Sequence, residues 1–265
     1  MKIIVPIKQV PETSNVKMDP ETGTMLREGV EAVINPLDLY ALEEAFVLRE
    51  QYGGTVTALT MGPPQADKAL MEAIAMGCDD AVLCSDRKFG GSDTWATSYT
   101  LAQAIRKIGE FDLIIAGERA TDGDTAQVGP GIAAWLDLPL ATYVARVEEM
   151  NAKSMTVERL VEDGYQIIEV PLPALMTVVK EIAAPRLPTL RGKKRSKIAE
   201  IPTFNTENME LDLASLGSKG SPTKVVKIAT PKVTRGGTTV HARDEKTLTE
   251  AVDQLMSYLE SKELI

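Results

Sequence analysis

The residues best equipped for chemistry lie in Gly117–Pro130, read as GERATDGDTAQVGP. Glycines, Asp122 and Asp124, Thr121 and Thr125, and Gln127 crowd one short stretch. Three chemistries suit such a set. Asp122 and Asp124 could ligate a hard metal ion, but only two carboxylates lie close in sequence and neither His nor Cys joins them. The same two could act as acid and base of a hydrolase, but no nucleophile is signalled beside them. The third option is a nucleotide cradle of backbone amides and short polar side chains. The stretch follows the apolar run FDLIIA (111–116) and leads into GIAAWL (131–136), so it reads as a strand-to-helix turn. In an open α/β sheet such turns line the crevice beyond the carboxyl ends of the strands, where ligands bind.

Other reactive groups are few. His241 is the only histidine, and it lies in a Gly/Thr-rich tail where a surface role is the plain reading. Cys78 and Cys84 form no CxxC and have no metal-type partners, which fits a reducing cytoplasm. Neither a P-loop nor a strand-linked G-x-G-x-x-G is present. A nucleotide would therefore be held by other helix N-termini, for which Pro6–Gln9, Asn35–Asp38, Met61-Gly62-Pro63 and Gly90–Thr94 are candidates. Within the central stretch, Asp124 and Gln127 have capping-box spacing, whereas Pro130 lacks an N–H and suits a helix starting near Gly129. Sequence leaves both open.

Positioning these groups requires a scaffold, and its pattern is regular. Ile3–Ile7, Thr55–Met61, Ala81–Cys84 and Phe111–Ala116 read as short buried strands. Between them lie helical stretches: one starts at Pro36 behind an Asn35 N-cap, one ends near Met76, and one runs from Thr94 to Ile108. Gly53, Gly77 and Gly109 close them. Such alternation predicts a doubly wound α/β fold with a mostly parallel sheet. After Pro139 four strands follow with short turns, Ala141–Val147, Met155–Leu160, Tyr165–Val170 and Leu175–Val179. Asp163-Gly164 is a hairpin signal, so this part reads as antiparallel and as an extension of the same sheet. Gln9–Glu28 reads as a polar excursion.

The α/β domain is expected over residues 1–185. Residues 186–265 then form an extended arm: a basic run Arg191–Lys197, a polar Pro/Gly/Ser/Thr-rich stretch, and an amphipathic helix. That helix carries Leu248, Ala251, Val252, Leu255, Met256 and Leu259 on one face. That helix must bury its stripe somewhere, either folded back on its own domain or, as an arm of this length favours, docked on a partner chain. A net charge of −9 argues against nucleic acid as a partner. No apolar run approaches a membrane span, and MKIIVPIKQV reads as a first strand rather than a signal peptide.

Several stretches together carry a family resemblance: VPIKQVPET with VKMDPETG, VINPLDLYALEEA, GERATDGDTAQVGPGIA, VERLVEDGYQIIEVPLPALMT and APRLPTLRGKKRSKIAEIP. Over nearly its whole length the chain resembles the beta subunit of electron transfer flavoproteins. The resemblance implies a heterodimer with an FAD-carrying alpha subunit. It implies an AMP in the beta subunit of ordinary members, and a second FAD reduced by NADH in electron-bifurcating members. The wording Asp122-Gly123-Asp124 followed by TAQVGP, and GGSDTWAT at 90–97, is similar to the bifurcating kind. Glu118-Arg119 departs from the Lys/Arg-Gln more usual there. Carried over by position, Pro6, Asn35, Pro36, Leu37, Asp38, Met61, Gly117, Glu118, Arg119, Ala120, Thr121, Asp122, Gly123, Asp124, Thr125, Ala126, Gln127 and Val128 would line the nucleotide site. Thr94 and Thr97 would reach the flavin, and Leu190 would tip a loop that recognises dehydrogenase partners. The implied partners are an acyl-CoA dehydrogenase-like or other dehydrogenase or quinone reductase, and ferredoxin or flavodoxin as low-potential acceptor. No catalytic side chain and no metal are implied, since the cofactor carries the redox chemistry.

Overall fold

A computed structural model describes residues 1–12, 17–18, 25–26, 32–226 and 239–265. Apart from Lys17–Met18, the VKMDPETG stretch and much of the polar excursion lie outside the described residues. In chain order the elements are β1 (Lys2–Pro6), β2 (Gln9–Pro11), β3 (Lys17–Met18), β4 (Met25–Leu26), β5 (Ala32–Ile34), α1 (Pro36–Tyr52), β6 (Thr55–Met61), α2 (Asp67–Met76), β7 (Asp80–Cys84), α3 (Thr94–Ile108), β8 (Leu113–Gly117) and α4 (Val128–Leu136). Then come β9 (Leu140–Met150), β10 (Ser154–Val161), β11 (Gly164–Pro171), β12 (Ala174–Val178), α5 (Leu190–Ser196), β13 (Thr203–Phe204), α6 (Gly217–Gly220) and α7 (Glu245–Ser261). The four predicted early strands are β1, β6, β7 and β8, with ends shifted by no more than about two residues, the usual fraying of boundaries.

Nine strands form one sheet in the order β11-β10-β9-β12-β8-β1-β6-β7-β13. From β9 to β13 every neighbouring pair is parallel. Parallel strands covered on both faces read as unbroken apolar runs, and Ile3-Ile4-Val5 and Leu113–Ala116 are such runs. Their side chains alternate. Ile3, Val5, Leu113 and Ile115 pack with Ala41, Leu42 and Phe46 of α1 and Leu70 of α2. Ile4 and Ile114 pack on the opposite face with Leu101 and Ile105 of α3 and Ile132 of α4. Gly53, Gly77 and Gly109 close their helices with positive φ, as predicted.

The late strands depart from the antiparallel expectation in one respect. β9, β10 and β11 are an antiparallel meander at the sheet edge, but β12 returns between β9 and β8 and is parallel to both. Its five residues are all buried, which marks an interior strand. The predicted hairpin joins β10 to β11. Val161 pairs with Gly164, so Glu162-Asp163 is the two-residue loop and Gly164, at φ 132°, opens β11.

Two compact units divide the chain, Met1–Lys227 and Ile228–Ile265. Residues 186–226 lie with the first. Arg186 grips the nearly buried Glu43 through Nε (2.9 Å) and Nη2 (2.9 Å), and also pairs with Glu50. α5 packs on α2, β13 pairs with the edge of β7, and Met209 and Leu216 enter the core. These long-range contacts are made by backbone and single side chains, so no periodicity announced them. In the second unit, α7 starts on a capping box of Asp244 and Thr247. None of its residues is buried, and Leu248, Val252, Leu255 and Met256 of its apolar stripe are exposed.

Candidate functional site at the carboxyl ends of β1 and β8

From β1 the chain moves outward through β6 and β7, then crosses back to β8 on the other side of β1. Strand order reverses between β1 and β8, so the loops after them diverge and leave a crevice. Pro6 ends β1, Met61 ends β6, Gly117 ends β8, and Asn35–Leu37 open α1. Thr94 opens α3, Thr97 lies one turn on, and Val128 opens α4. The topology thus gathers the sequence-derived set at one rim. Leu190 is not among them. It begins α5, largely exposed, on the short helix whose Gly192 abuts Ala75 in the last turn of α2.

Asn35 stands at the predicted N-cap position but does not cap α1 with its side chain. There Pro36 needs no N–H partner, and the Asn35 carbonyl accepts from Asp38 N. Instead the fully buried amide crosses to the loop after β8. Asn35 Nδ2 donates to Arg119 O (2.9 Å), and Asn35 Oδ1 accepts from Thr121 N (3.1 Å). Asp38, one of the predicted lining residues, is turned into the protein. Its Oδ2 accepts from Lys8 N at 2.7 Å, tying the end of β1 to α1. Burial pushes its carboxyl up to about 7, against hydrogen bonds from the backbones of Lys8 and Gly117 and the side chain of Asn35 that pull the other way.

Gly117 is required by this packing. A Cβ there would strike Asp38 Oδ1 and come within 2.9 Å of the Leu37 carbonyl carbon. Gly117→Ala is expected to lower stability by about 1–3 kcal/mol through forced displacement of α1, read as a lowered denaturant midpoint at unchanged m-value. Gly123 differs. Among the described residues, a Cβ there would meet nothing nearer than Lys8 Nζ at 4.0 Å, so they do not demand glycine at the crown of the loop.

The crown carries charge. Lys8 Nζ pairs with Asp122 at 2.6 Å, while Arg119 pairs with Glu118 and with Asp124, each at 3.2 Å. Asp124 and Ala126 hold left-handed φ values of 53° and 54°, and Asp124 N closes a turn on Ala120 O. The helix start left open by the sequence is Val128, with Gln127 as N-cap residue and no side-chain cap. The Asp124/Gln127 capping box is therefore absent, because left-handed backbone at 124 and 126 turns Asp124 toward Arg119. Pro130 sits in the first turn, where its missing N–H has no intrahelical duty. Gln127 Oε1 instead accepts from Thr94 Oγ1 (2.8 Å), which ties the starts of α3 and α4 together. Lys8 was not singled out from sequence. Its place just beyond β1 was its only signal.

A crevice with an uncapped helix start and short polar side chains can receive an anionic ligand. Cysteine nucleophiles have no part in it: Cys78 and Cys84 are buried, and burial pushes the Cys84 thiol up to about 12. Comparison with known proteins specifies the family. The electron transfer flavoprotein domain matches residues 22–208. An electron transfer flavoprotein subunit beta from Thermoanaerobacterium thermosaccharolyticum is 48% identical over the whole of both chains. The chain belongs to the electron transfer flavoprotein beta-subunit family. Other relatives in this family include the caffeyl-CoA reductase-Etf complex subunit CarD of Acetobacterium woodii, 46% identical over both full lengths. The acryloyl-CoA reductase electron transfer subunit gamma of Anaerotignum propionicum is 43% identical over 97% of this chain and 98% of its own. Among the described residues, no helix is long and apolar enough to cross a membrane.

Proposed function

We propose that this electron transfer flavoprotein beta subunit is of the electron-bifurcating kind, and that its crevice between β1 and β8 holds an FAD. The Rossmann-like sheet then serves as an adenine-nucleotide-binding fold in a cytoplasmic heterodimer. The observation that carries the reading is Gly123, bare at the loop crown although none of the described residues would obstruct a side chain there. A missing side chain that the fold does not need leaves backbone free to approach a large ligand. The relationship to CarD, named for a caffeyl-CoA reductase-Etf complex, fits a subunit that works beside a reductase.

The chemistry supplied by bound FAD is hydride acceptance from NADH and release of single electrons, toward the alpha-subunit FAD and a dehydrogenase, and toward ferredoxin or flavodoxin. The chain's own residues position and shield. Asn35 and Asp38 fix the loops after β1 and β8, the N–H groups of Val128 and Gly129 at the start of α4 would hold a phosphate, and Thr94 and Thr97 would offer hydroxyls to the flavin side. Leu190, beside Arg191, Lys193 and Lys194, is the proposed contact for the dehydrogenase. α7 is proposed to bury its apolar stripe on the alpha subunit. Anaerobic NADH is expected to bleach the visible flavin absorbance of the co-purified heterodimer. A heterodimer that keeps its absorbance in excess NADH contradicts the proposal and favours a structural AMP in the crevice.

A further inference from the structure

The loop crown sets three carboxylates, Glu118, Asp122 and Asp124, against two cations, Lys8 and Arg119. Both cations are engaged by these carboxylates, and the two aspartates reach in different directions. Asp122 bridges to the loop after β1, and Asp124 turns back onto its own loop. The left-handed backbone at Asp124, closed by its N–H on Ala120 O, is what brings that carboxylate to Arg119. The crown therefore presents a net negative charge at a place read above as a phosphate site. Like charge at short range opposes a phosphate unless a cation is released.

We propose that Asp122 and Asp124 compete with a nucleotide's phosphates for Lys8 and Arg119, and so set the affinity of the crevice. Arg119 suits this role because a guanidinium holds either a carboxylate or a phosphate through paired N–H donors. It is about half exposed, as is Lys8, so each can change partner without disturbing the core. The competing carboxylates hold the loop in register and lower the affinity by a modest factor. The uncapped start of α4 supplies attraction that does not depend on this exchange.

The inference rests on the reading of the crevice as a nucleotide site, and titration of ADP into the nucleotide-depleted heterodimer separates the two. ADP carries the adenosine and paired phosphates of FAD without the flavin. Asp124→Asn is expected to tighten ADP about twofold to fivefold, the range open to an exposed ion pair. Arg119→Gln is expected to weaken it about tenfold. In the Arg119→Gln background, Asp124→Asn should bring no gain, because the cation it frees is gone. Asp122→Asn should repeat the pattern through Lys8. Asp124 is well exposed, and an unchanged melting temperature checks that its variants fold. An Asp124→Asn that weakens ADP, leaves its affinity unchanged, or tightens it equally without Arg119 overturns the competition while leaving the crevice as the nucleotide site. Wild-type heterodimer that binds no ADP overturns both.

Discussion

Asn35→Ala is expected to lower the stability of the chain by about 2–4 kcal/mol and, on the proposed role of the crevice, to strip the nucleotide from it. The amide is fully buried and serves both sides of one loop, donating to Arg119 O and accepting from Thr121 N. Removing it leaves a backbone carbonyl and a backbone N–H without partners, each costing about 1–3 kcal/mol if it stays dry. Where the loop moves to hydrate those groups, the stability loss shrinks, but residues 119–121 no longer hold the crown in place. Asn35→Asp is the informative control. It can still accept from Thr121 N, but it loses the donor to Arg119 O and sets a second carboxylate beside Asp38. Its loss should equal or exceed that of alanine. Denaturant midpoints together with nucleotide content after dialysis check both effects. An alanine variant with wild-type stability and full nucleotide would show that the bridge is incidental.

The second large effect is a fall in stability from acid toward neutral pH. Asp38 has an ordinary value of 3.8 in an unfolded chain and is raised by burial to about 7 when folded. Across that interval the folded chain keeps a proton that the unfolded chain has lost. Its contribution is whole below about pH 4, declines by about 1.4 kcal/mol per unit as pH rises, and is gone above about 7. Glu44 works in the same direction and window, pushed up to about 7 by burial and then by the neighbouring charge of Glu43. Asp86 is held low by the Lys88 N–H and the Thr206 hydroxyl, so its contribution is lost only below its ordinary value of 3.8, outside this window. Asp38→Asn should therefore reduce the slope of unfolding free energy between pH 5 and 7 by about half. The measurement is a set of denaturant titrations at half-unit pH steps. A slope unchanged by the substitution would remove Asp38 as its source.

Most of what positions the crevice was legible in the sequence. Short apolar runs alternating with helices whose ends were marked by Asn35-Pro36 and by Gly53, Gly77 and Gly109 lead to the parallel sheet, because caps and periodicity are local signals. The parallel insertion of β12 was hidden. Leu175–Val179 has the same composition whichever way its neighbours run, and strand direction depends on partners far along the chain. Asn35 shows the same limit within the site. Its type and position matched an N-cap, yet the tertiary contact with residues 119 and 121 claims its side chain. Lys8 falls inside the candidate stretch Pro6–Gln9, but one lysine after a strand carries no pattern of its own until Asp122 is brought to it. Residues 186–226 read as part of an extended arm because Arg186, Arg195 and the two residues of β13 each act singly. Their partners Glu43, Ile74 and Leu83 lie more than a hundred residues away.

The most direct test of the bifurcating assignment is a cofactor count on the heterodimer as purified. Denatured extract should contain two FAD per heterodimer and no AMP, since the crevice and the alpha subunit would each release one flavin. One FAD and one AMP per heterodimer would contradict the assignment and make the crevice a structural nucleotide site.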